Sequence, residues 1–322
     1  MRVATVTFNP AIDQTISLDR LVRGEVHRAR ALREDAGGKG VNVASCLADW
    51  GQGVTAFGLL GADNAGGFEA LCAQKSIEDG FVRVPGATRV NLKIVDDETT
   101  TDINMDGPWV EEGHIEALIR AILAYAGHDA LIVLSGSVPP GCPPDIYADL
   151  IVRLKGLGAR VLLDTSGAPL AMGLSGSILP DVVKPNRDEL AAWAGVAADD
   201  PDALLAAATR LHEQGVGLVV VSMGADGALF LSDEGALIAR LKAFEIASTV
   251  GAGDAMVAGI VAALIEGASL ERTARLATAF AVAKLGRPGP HLPSLATVHA
   301  LADDTEVFAA RSNDAALLGE AK

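Results

Sequence analysis

Several residue types and patterns are scarce in this chain of 322 residues, and each scarcity excludes a class of protein. Three cysteines at irregular spacings fit neither a disulfide framework nor a metal-binding cysteine pair, which favours a reducing compartment. No apolar run approaches the roughly 18 to 20 residues that span a bilayer. Acidic residues outnumber lysine and arginine by 41 to 26, and this excess argues against nucleic acid as a partner. We therefore expect a cytoplasmic protein with neither a nucleic-acid nor a membrane partner.

The short motifs of many enzyme classes are also missing. The chain has no GxxxxGK[ST] sequence, which excludes a P-loop protein, and no complete GxGxxG, because Met256 and Val43 stand where a third glycine is needed. HExxH, HRD and GxSxG are absent as well. Metalloprotease, protein-kinase and α/β-hydrolase chemistry therefore lack support in the sequence.

The chain does contain short apolar runs that alternate with helical patterns. Runs this apolar predict strands that are buried on both faces, as in a parallel sheet covered by helices on each side. The predicted strands are Val3–Phe8, Val54–Leu60, Ala130–Leu134, Arg160–Leu163, Asp181–Val183 and Leu218–Val221. The predicted helices are Lys39–Trp50, His114–Tyr125, Pro144–Lys155 and Pro201–Gln214, each followed closely by a glycine. This order predicts one doubly wound α/β domain.

Two polar stretches interrupt that order. Residues 14 to 34 and 88 to 105 alternate apolar and polar positions, which predicts strands with one wet face in a small antiparallel β lid. Surface excursions without function are the alternative. We expect a discontinuous lid of residues 11–35 and 87–106, beside an α/β domain of residues 1–10, 36–86 and 107–322.

Glycine clusters mark two candidate anion sites. The segment Ser248-Thr-Val-Gly-Ala-Gly-Asp254 leads into a helix of small residues, and a glycine-rich turn at a helix N-terminus presents free N–H groups to an anion. Asp254 suits either a helix cap or a general base, and a phosphoryl-transfer enzyme needs such a base beside an anion site. The second cluster, Ala36-Gly-Gly-Lys-Gly-Val-Asn-Val-Ala44, places Lys39 and Asn42 at the start of the first long helix. Simple turns with a solvated lysine are the alternative there.

These two clusters resemble the two signatures of the PfkB, or ribokinase-like, family of carbohydrate kinases. Further blocks follow the order of that family between residue 3 and about residue 286: Thr7-Phe-Asn-Pro-Ala-Ile-Asp13, Arg23-Gly-Glu-Val26, Thr88-Arg-Val-Asn-Leu-Lys93, Ser135-Gly-Ser-Val-Pro-Pro-Gly141, Val183-Lys-Pro-Asn186 and Val221-Ser-Met-Gly-Ala-Asp-Gly227. The resemblance implies a ribokinase-like three-layer α/β/α domain with a mostly parallel sheet, a small antiparallel β lid, and ATP and Mg²⁺ as cofactors.

The resemblance also implies roles for single residues. Asp254 matches the catalytic base, and Gly251, Ala252 and Gly253 match the anion hole that holds the phosphoryl group. The substrate-binding positions are Asp13, Gly38, Lys39, Asn42, Arg89, Asn91 and Ser137. The nucleotide-binding positions are Lys184, Asn186, Ser222, Gly224, Gly227 and Thr249, and Glu189 would hold Mg²⁺ through water.

The expected substrate depends on charge. Arg89 offers a planar fork for a phosphate, although an exposed strand arginine is the alternative, and five arginines at positions 20, 23, 28, 30 and 33 give a local positive field. The implied reaction transfers the γ-phosphate of ATP to the 6-hydroxyl of fructose 1-phosphate. Tagatose 6-phosphate or fructose 6-phosphate are the alternative substrates, and a catalytically silent sugar-phosphate sensor is the alternative of another class.

Two further expectations concern assembly and the adenine site. The resemblance implies a homodimer joined through the lids. One segment departs from the family pattern: Lys284-Leu-Gly-Arg-Pro-Gly-Pro-His291 lacks the asparagine or serine expected near the adenine, so the purine contacts stay open.

Overall fold

A computed structural model describes residues 1–97, 99–243 and 250–310, which form two β-sheets and ten α-helices. The strands of the larger sheet, in chain order, are β1 (Arg2–Thr7), β4 (Thr55–Gly61), β5 (Glu78–Val84), β8 (Ala130–Ser135), β9 (Arg160–Asp164), β10 (Val182–Val183), β11 (Leu218–Ser222), β12 (Ala228–Ser232), β13 (Gly235–Arg240) and β14 (Glu306–Ala309). The smaller sheet contains β2 (Ala11–Ser17), β3 (Ala31–Gly37), β6 (Arg89–Val95) and β7 (Thr100–Ile103).

The larger sheet has the order β14-β13-β12-β11-β10-β9-β8-β1-β4-β5. Seven neighbouring strands of this sheet, β11, β10, β9, β8, β1, β4 and β5, are parallel to one another. The other three, β12, β13 and β14, pair antiparallel. The six strands predicted from apolar runs are the six adjacent central ones, and their boundaries differ by at most one residue at either end. The predicted mostly parallel sheet is therefore confirmed.

Helices cover both faces of this sheet. They are α1 (Lys39–Asp49), α2 (Gly66–Lys75), α3 (Glu112–Tyr125), α4 (Ile146–Gly156), α5 (Gly167–Gly173), α6 (Arg187–Ala194), α7 (Pro201–Glu213), α8 (Ala252–Glu266), α9 (Leu270–Leu285) and α10 (Leu295–Asp304). Helices α1, α2, α8, α9 and α10 pack on one face, and α3 to α7 pack on the other. Successive strand residues alternate between the two cores, as Val3 and Ala4 do, because strand side chains point to opposite faces. The result is the three-layer α/β/α architecture that we expected.

The four predicted helices are present, with small shifts at their ends. Helix α1 ends at Asp49 rather than Trp50, and α4 begins at Ile146 rather than Pro144. Gly156 is the last residue of α4, and the left-handed glycine that follows is Gly158, with φ of 81°. The glycine stop is thus two residues later than predicted.

The smaller sheet, which we call the lid, has the order β3-β2-β6-β7. Its outer pairs are antiparallel, as predicted, while the central pair β2 and β6 is parallel. Strand β2 follows β1 and strand β6 follows β5, and β1 and β5 run in the same direction in the main sheet. Strands β2 and β6 therefore leave the same edge of the main sheet in the same direction. None of the described helices is both long enough and apolar enough to cross a membrane.

Candidate active site

The glycine turn and helix α8 form the floor of the candidate site. Gly251 is the N-cap of α8 and has φ of 82°, a left-handed conformation that a residue with a side chain rarely adopts. The first N–H groups of a helix have no partner inside it, so those at the start of α8 remain available. Further along α8, a Cβ on Gly259 would lie 2.7 Å from Cα of Ala277, so the close packing of α8 on α9 needs this glycine. That packing fixes the position of the turn.

Asp254 lies in the first turn of α8 and is almost fully buried, with 8% of its surface exposed. Its Oδ2 accepts a hydrogen bond of 2.7 Å from Nδ2 of Asn42, in the first turn of α1. Burial raises the pKa of Asp254 to about 6, although Lys39 opposes this shift. A carboxylate with such a pKa is a suitable proton acceptor near neutral pH. The contact with Asn42 was not predicted, because Asn42 was assigned to the ligand.

Two lysines share one buried carboxylate beside Asp254. Asp164 Oδ1 lies 3.3 Å from Nζ of Lys39 and 3.2 Å from Nζ of Lys184. Burial disfavours the charged form of Asp164, but the two ammonium groups outweigh it and hold its pKa below the usual range. For Lys39, burial is likewise outweighed, by Asp164, Asp254 and Glu189, and its pKa is raised. The ion pairs with Asp164 thus hold both lysine side chains in place next to the anion hole.

Sequence reasoning missed Asp164. It is the one acidic residue in the apolar strand β9, and it stands at the carboxyl end of that strand. Ligands of parallel α/β sheets bind outside the carboxyl ends of the strands, so this position carried a usable signal.

Asp13 faces the floor from the lid. It is the third residue of β2, within the predicted lid, since β1 already ends at Thr7. Asn91 in β6 is the cross-strand partner of Asp13, and its Nδ2 donates a hydrogen bond of 3.0 Å to Asp13 Oδ1. Burial raises the pKa of Asp13, and this hydrogen bond opposes the shift. A Cβ on Gly37 would collide with the Asp13 carboxylate, so this glycine makes room for it.

Arg89 binds main-chain carbonyls in this structure. Its guanidinium donates to the oxygens of Asn9 at 3.0 Å, Pro10 at 3.3 Å and Met105 at 2.5 Å. These contacts join β6 to the chain before β2 and to the segment after β7. The alternative interpretation of Arg89 as an exposed strand arginine is wrong, since Arg89 is partly buried. The predicted contact of Arg89 with a phosphate stays a prediction.

The other predicted ligands of the substrate lie around the same opening. A single cavity between floor and lid is lined by all seven predicted substrate-binding residues, Asp13, Gly38, Lys39, Asn42, Arg89, Asn91 and Ser137, together with Gly251 and Asp254. Asn9, which was not predicted, also lines this cavity and donates to Ser137 Oγ at 3.2 Å. The cavity therefore connects the anion hole to the polar face of the lid.

The predicted nucleotide-binding residues lie at neighbouring strand ends. Lys184 follows β10, and Asn186 forms an isolated parallel bridge with Ser222 at the end of β11. Gly224 belongs to the turn after β11, where Met223 N donates to Gly227 O at 2.8 Å.

Gly227 and Thr249 are the remaining predicted nucleotide-binding residues. A Cβ on Gly227 would collide with the carbonyl oxygen of Ala239, so the packing against β13 by itself requires a glycine there. Thr249 lies outside the described residues, as does Ser248.

Asn186 and Glu189 form the capping box of α6. Asn186 Oδ1 accepts from Glu189 N, and Glu189 Oε2 accepts from Asn186 N, both at 2.8 Å. Within the described residues no three acidic, histidine or cysteine side chains form a metal site. Mg²⁺ keeps much of its water and needs only one or two carboxylates, so this donor set fits it. Asp164 Oδ2, which is buried without a hydrogen-bond partner in the described part of the chain, also fits such a hydrated ion.

The fold and the site together define a phosphoryl-transfer enzyme of the α/β class. Helix N–H groups and two fixed ammonium groups are suited to a phosphoryl group, and Asp254 is suited to the proton of an attacking hydroxyl. The comparisons with known proteins agree. The pfkB carbohydrate kinase family model matches residues 6–297, and the chain belongs to that family. It is a carbohydrate kinase.

Individual relatives cover most of the chain. A 1-phosphofructokinase from Xanthomonas campestris pv. campestris is 51% identical over 88% of this chain and 91% of its own length. A 1-phosphofructokinase from Rhodobacter capsulatus is 46% identical over 94% of this chain and 96% of its own. Among solved structures, phosphofructokinase-2 from Escherichia coli in complex with substrates and products is 29% identical with a TM-score of 0.87, covering 94% of this chain and 99% of the other.

Proposed function

We propose that this protein transfers the γ-phosphate of ATP to the 6-hydroxyl of fructose 1-phosphate, giving fructose 1,6-bisphosphate and ADP. The observation that carries the proposal is the buried Asp254 beside the α8 N-terminus, in one cavity with the predicted sugar ligands. The names of the two curated relatives support the choice of phosphosugar.

Asp254 accepts the proton of the attacking hydroxyl in this reaction. Its Oδ2 is held by Asn42, which leaves Oδ1 for the hydroxyl. The raised pKa makes the carboxylate a stronger base than an exposed aspartate, while it remains ionised above about pH 6.

The floor offsets the charge of the phosphoryl group. The N–H groups of Gly251, Ala252 and Gly253 point from the helix end, and Lys39 and Lys184 hold fixed positive charge beside them. A Cβ on Gly253 would lie 3.6 Å from Nζ of Lys184, so this ammonium lies next to the anion hole itself. Mg²⁺, when bound, would add charge neutralisation between the phosphates, held through water by Glu189 and Asp164.

The lid side binds the sugar. The carboxylate of Asp13 is an acceptor-only group and suits two sugar hydroxyls. Arg89 lies at the same cavity wall, where a phosphate would exchange with the carbonyl oxygens that now accept its hydrogen bonds. Ser137 and Gly38 complete the wall on the side of the main sheet.

An ADP-release assay with a panel of acceptors tests the proposal. Fructose 1-phosphate, fructose 6-phosphate, tagatose 6-phosphate and unphosphorylated fructose are compared at equal MgATP. We expect the highest kcat/KM with fructose 1-phosphate. A preference for a 6-phosphate would replace the proposed substrate, and absence of turnover with every acceptor would favour the sugar-phosphate sensor.

We also propose a homodimer joined through the lids, in the cytoplasm. The outer strands β3 and β7 expose Leu32 and Ile103, with 58% and 42% of their surfaces accessible. Large exposed apolar side chains on a sheet mark an interaction surface. Sedimentation at low protein concentration tests this: the dimer should persist in the wild type and dissociate in Leu32→Glu.

The reducing cytoplasm suits the three unpaired cysteines and supplies ATP.

A further inference from the structure

Lys284 is a buried lysine at the end of α9 for which the proposed reaction has no role yet. Only 1% of its surface is exposed. Its ammonium donates a hydrogen bond of 2.9 Å to the carbonyl oxygen of Arg287, in the segment that departs from the family pattern. Burial lowers the pKa of Lys284, because the charged form is disfavoured there.

No carboxylate forms an ion pair with Lys284 within residues 1–97, 99–243 and 250–310. A buried charge without a partner of opposite sign is costly, and a protein keeps one mainly where the charge is used. The Arg287 carbonyl offsets only part of that cost.

Lys75 provides a comparison inside the same molecule. It is the last residue of α2, its side chain is largely buried, and its Nζ lies 3.5 Å from the carbonyl oxygen of Pro290 in the segment that follows Lys284. Unlike Lys284, it has a carboxylate, since Asp49 Oδ2 lies 2.7 Å away. Its position is explained by holding the segment in place. Among the described residues Lys284 has no such carboxylate, so its burial calls for a different explanation.

Lys284 lies in contact distance of the glycine turn. A Cβ on Gly251 would stand 3.4 Å from Cε of Lys284, and 3.9 Å from both Asn42 Nδ2 and Asp254 Oδ2. Lys284 and Gly251 also line a second cavity on the lid side of the turn. The ammonium thus lies close to the anion hole and the proposed base, on a side that neither Lys39 nor Lys184 occupies.

We propose that Lys284 is a positioning residue for phosphoryl transfer, whose buried ammonium supplies fixed positive charge beside the Gly251 turn. The inference rests on the proposed function. The charge supports the turn as negative charge gathers at the anion hole, and it does so without touching the substrate. Removal of the side chain would leave a space beside the carbonyl oxygen of Arg287, which a small monovalent cation can fill.

Three variants test this proposal. The wild-type protein is first shown to release ADP with a phosphosugar. Lys284→Met removes the charge and keeps the bulk, Lys284→Ala removes both, and Lys75→Met is the matched control. We measure kcat, both KM values and the melting temperature, with KCl, NH₄Cl or tetramethylammonium chloride at constant ionic strength.

In Lys284→Met, kcat should fall about 10-fold or more without a lower melting temperature, since the variant removes a buried charge that has no carboxylate partner in the described part of the chain. In Lys284→Ala, K⁺ or NH₄⁺ should restore activity, whereas tetramethylammonium, which is too large, should not. Lys75→Met should lower the melting temperature, change kcat less than about twofold and show no cation rescue.

Either of two results would overturn the inference. One is a Lys284→Met enzyme with kcat within twofold of the wild type, which decides the matter even if Lys284→Ala does not fold. The other is lost activity in Lys284→Ala that no small cation restores. Absence of phosphosugar-dependent turnover in the wild type would instead contradict the proposed function, so the two failures are distinguishable.

Discussion

The floor and the lid wall of the cavity are built differently. On the floor, Asp254, Asp164 and Lys184 are buried, and Asp164 forms ion pairs with Lys39 and Lys184 before any ligand arrives. On the lid wall, Asp13 and Arg89 are half-buried, and their partners are an amide and main-chain carbonyls that a ligand can replace. Fixed charges suit the reacting phosphoryl group, while exchangeable contacts suit binding and release of a sugar. Changes to the floor should therefore lower kcat, and changes to the lid wall should mainly raise KM.

The largest expected effect is that of Asp254→Asn on the floor. Loss of the proton acceptor should lower kcat about 10³-fold or more while the KM for ATP changes little. Asparagine can still accept the hydrogen bond from Asn42, so the geometry is kept. Steady-state kinetics check this, with ATP binding measured separately by calorimetry. Turnover close to that of the wild type would remove Asp254 from the mechanism.

Asp164→Asn should show the next largest effect, on rate and on stability together. Two lysines lose their shared carboxylate, and breaking a buried ion pair costs about 3–5 kcal/mol. We expect kcat to fall about 10²-fold, because Lys39 and Lys184 are no longer fixed. Denaturant unfolding and kinetics measure the two effects. A variant with unchanged stability would show that the network does not hold the floor.

Arg89→Ala tests the lid wall. The KM for the phosphosugar should rise about 10-fold or more, with a much smaller change in the KM for ATP and in kcat. Arg30→Ala is the matched control, because Arg30 is a lid arginine that forms an ion pair of 3.1 Å with Asp97 away from the cavity. Equal changes in both KM values would show that Arg89 supports the lid and does not bind phosphate.

The smallest effect concerns pH and stability at the floor. Asp254 has a pKa of about 6 in the folded protein against 3.8 in the unfolded chain, so the folded state loses stability as pH rises from about 4 to about 6. Asp254→Asn should therefore be more stable than the wild type at pH 8, by about 1–3 kcal/mol, and not at pH 4. Denaturant unfolding at both pH values measures the difference. A variant less stable than the wild type at pH 8 would contradict the raised pKa.

Much of the main sheet could be predicted from the sequence because its central strands are apolar throughout. The strands β5, β12, β13 and β14 were not predicted. The two edge strands β5 and β14 have exposed positions and lack a continuous apolar run, whereas β12 was missed although it is apolar and buried. The lid was predicted from its alternating pattern. Its parallel central pair was not, because strand direction follows from where β1 and β5 end in space.

The residues of the candidate site also include some that a local sequence pattern reveals and some that it does not. Asp254, Lys39 and Asn42 lie in glycine-rich segments at helix starts, a local pattern that a sequence displays. Asp164 and Lys284 come from β9 and α9, far apart in the chain, and they act through neighbours that only the folded structure brings together. A charged residue directly after a short apolar run was the available signal for both.

Phosphorus NMR of the complete reaction tests the central claim most directly. Wild-type protein is mixed with fructose 1-phosphate and MgATP, and the spectrum is followed with time. The account predicts that a second phosphomonoester resonance, at the 6-position, grows in step with ADP while the 1-phosphate resonance remains, and that Asp254→Asn does not produce it. ATP consumption that releases only inorganic phosphate, or bisphosphate formation by Asp254→Asn at the wild-type rate, would contradict it.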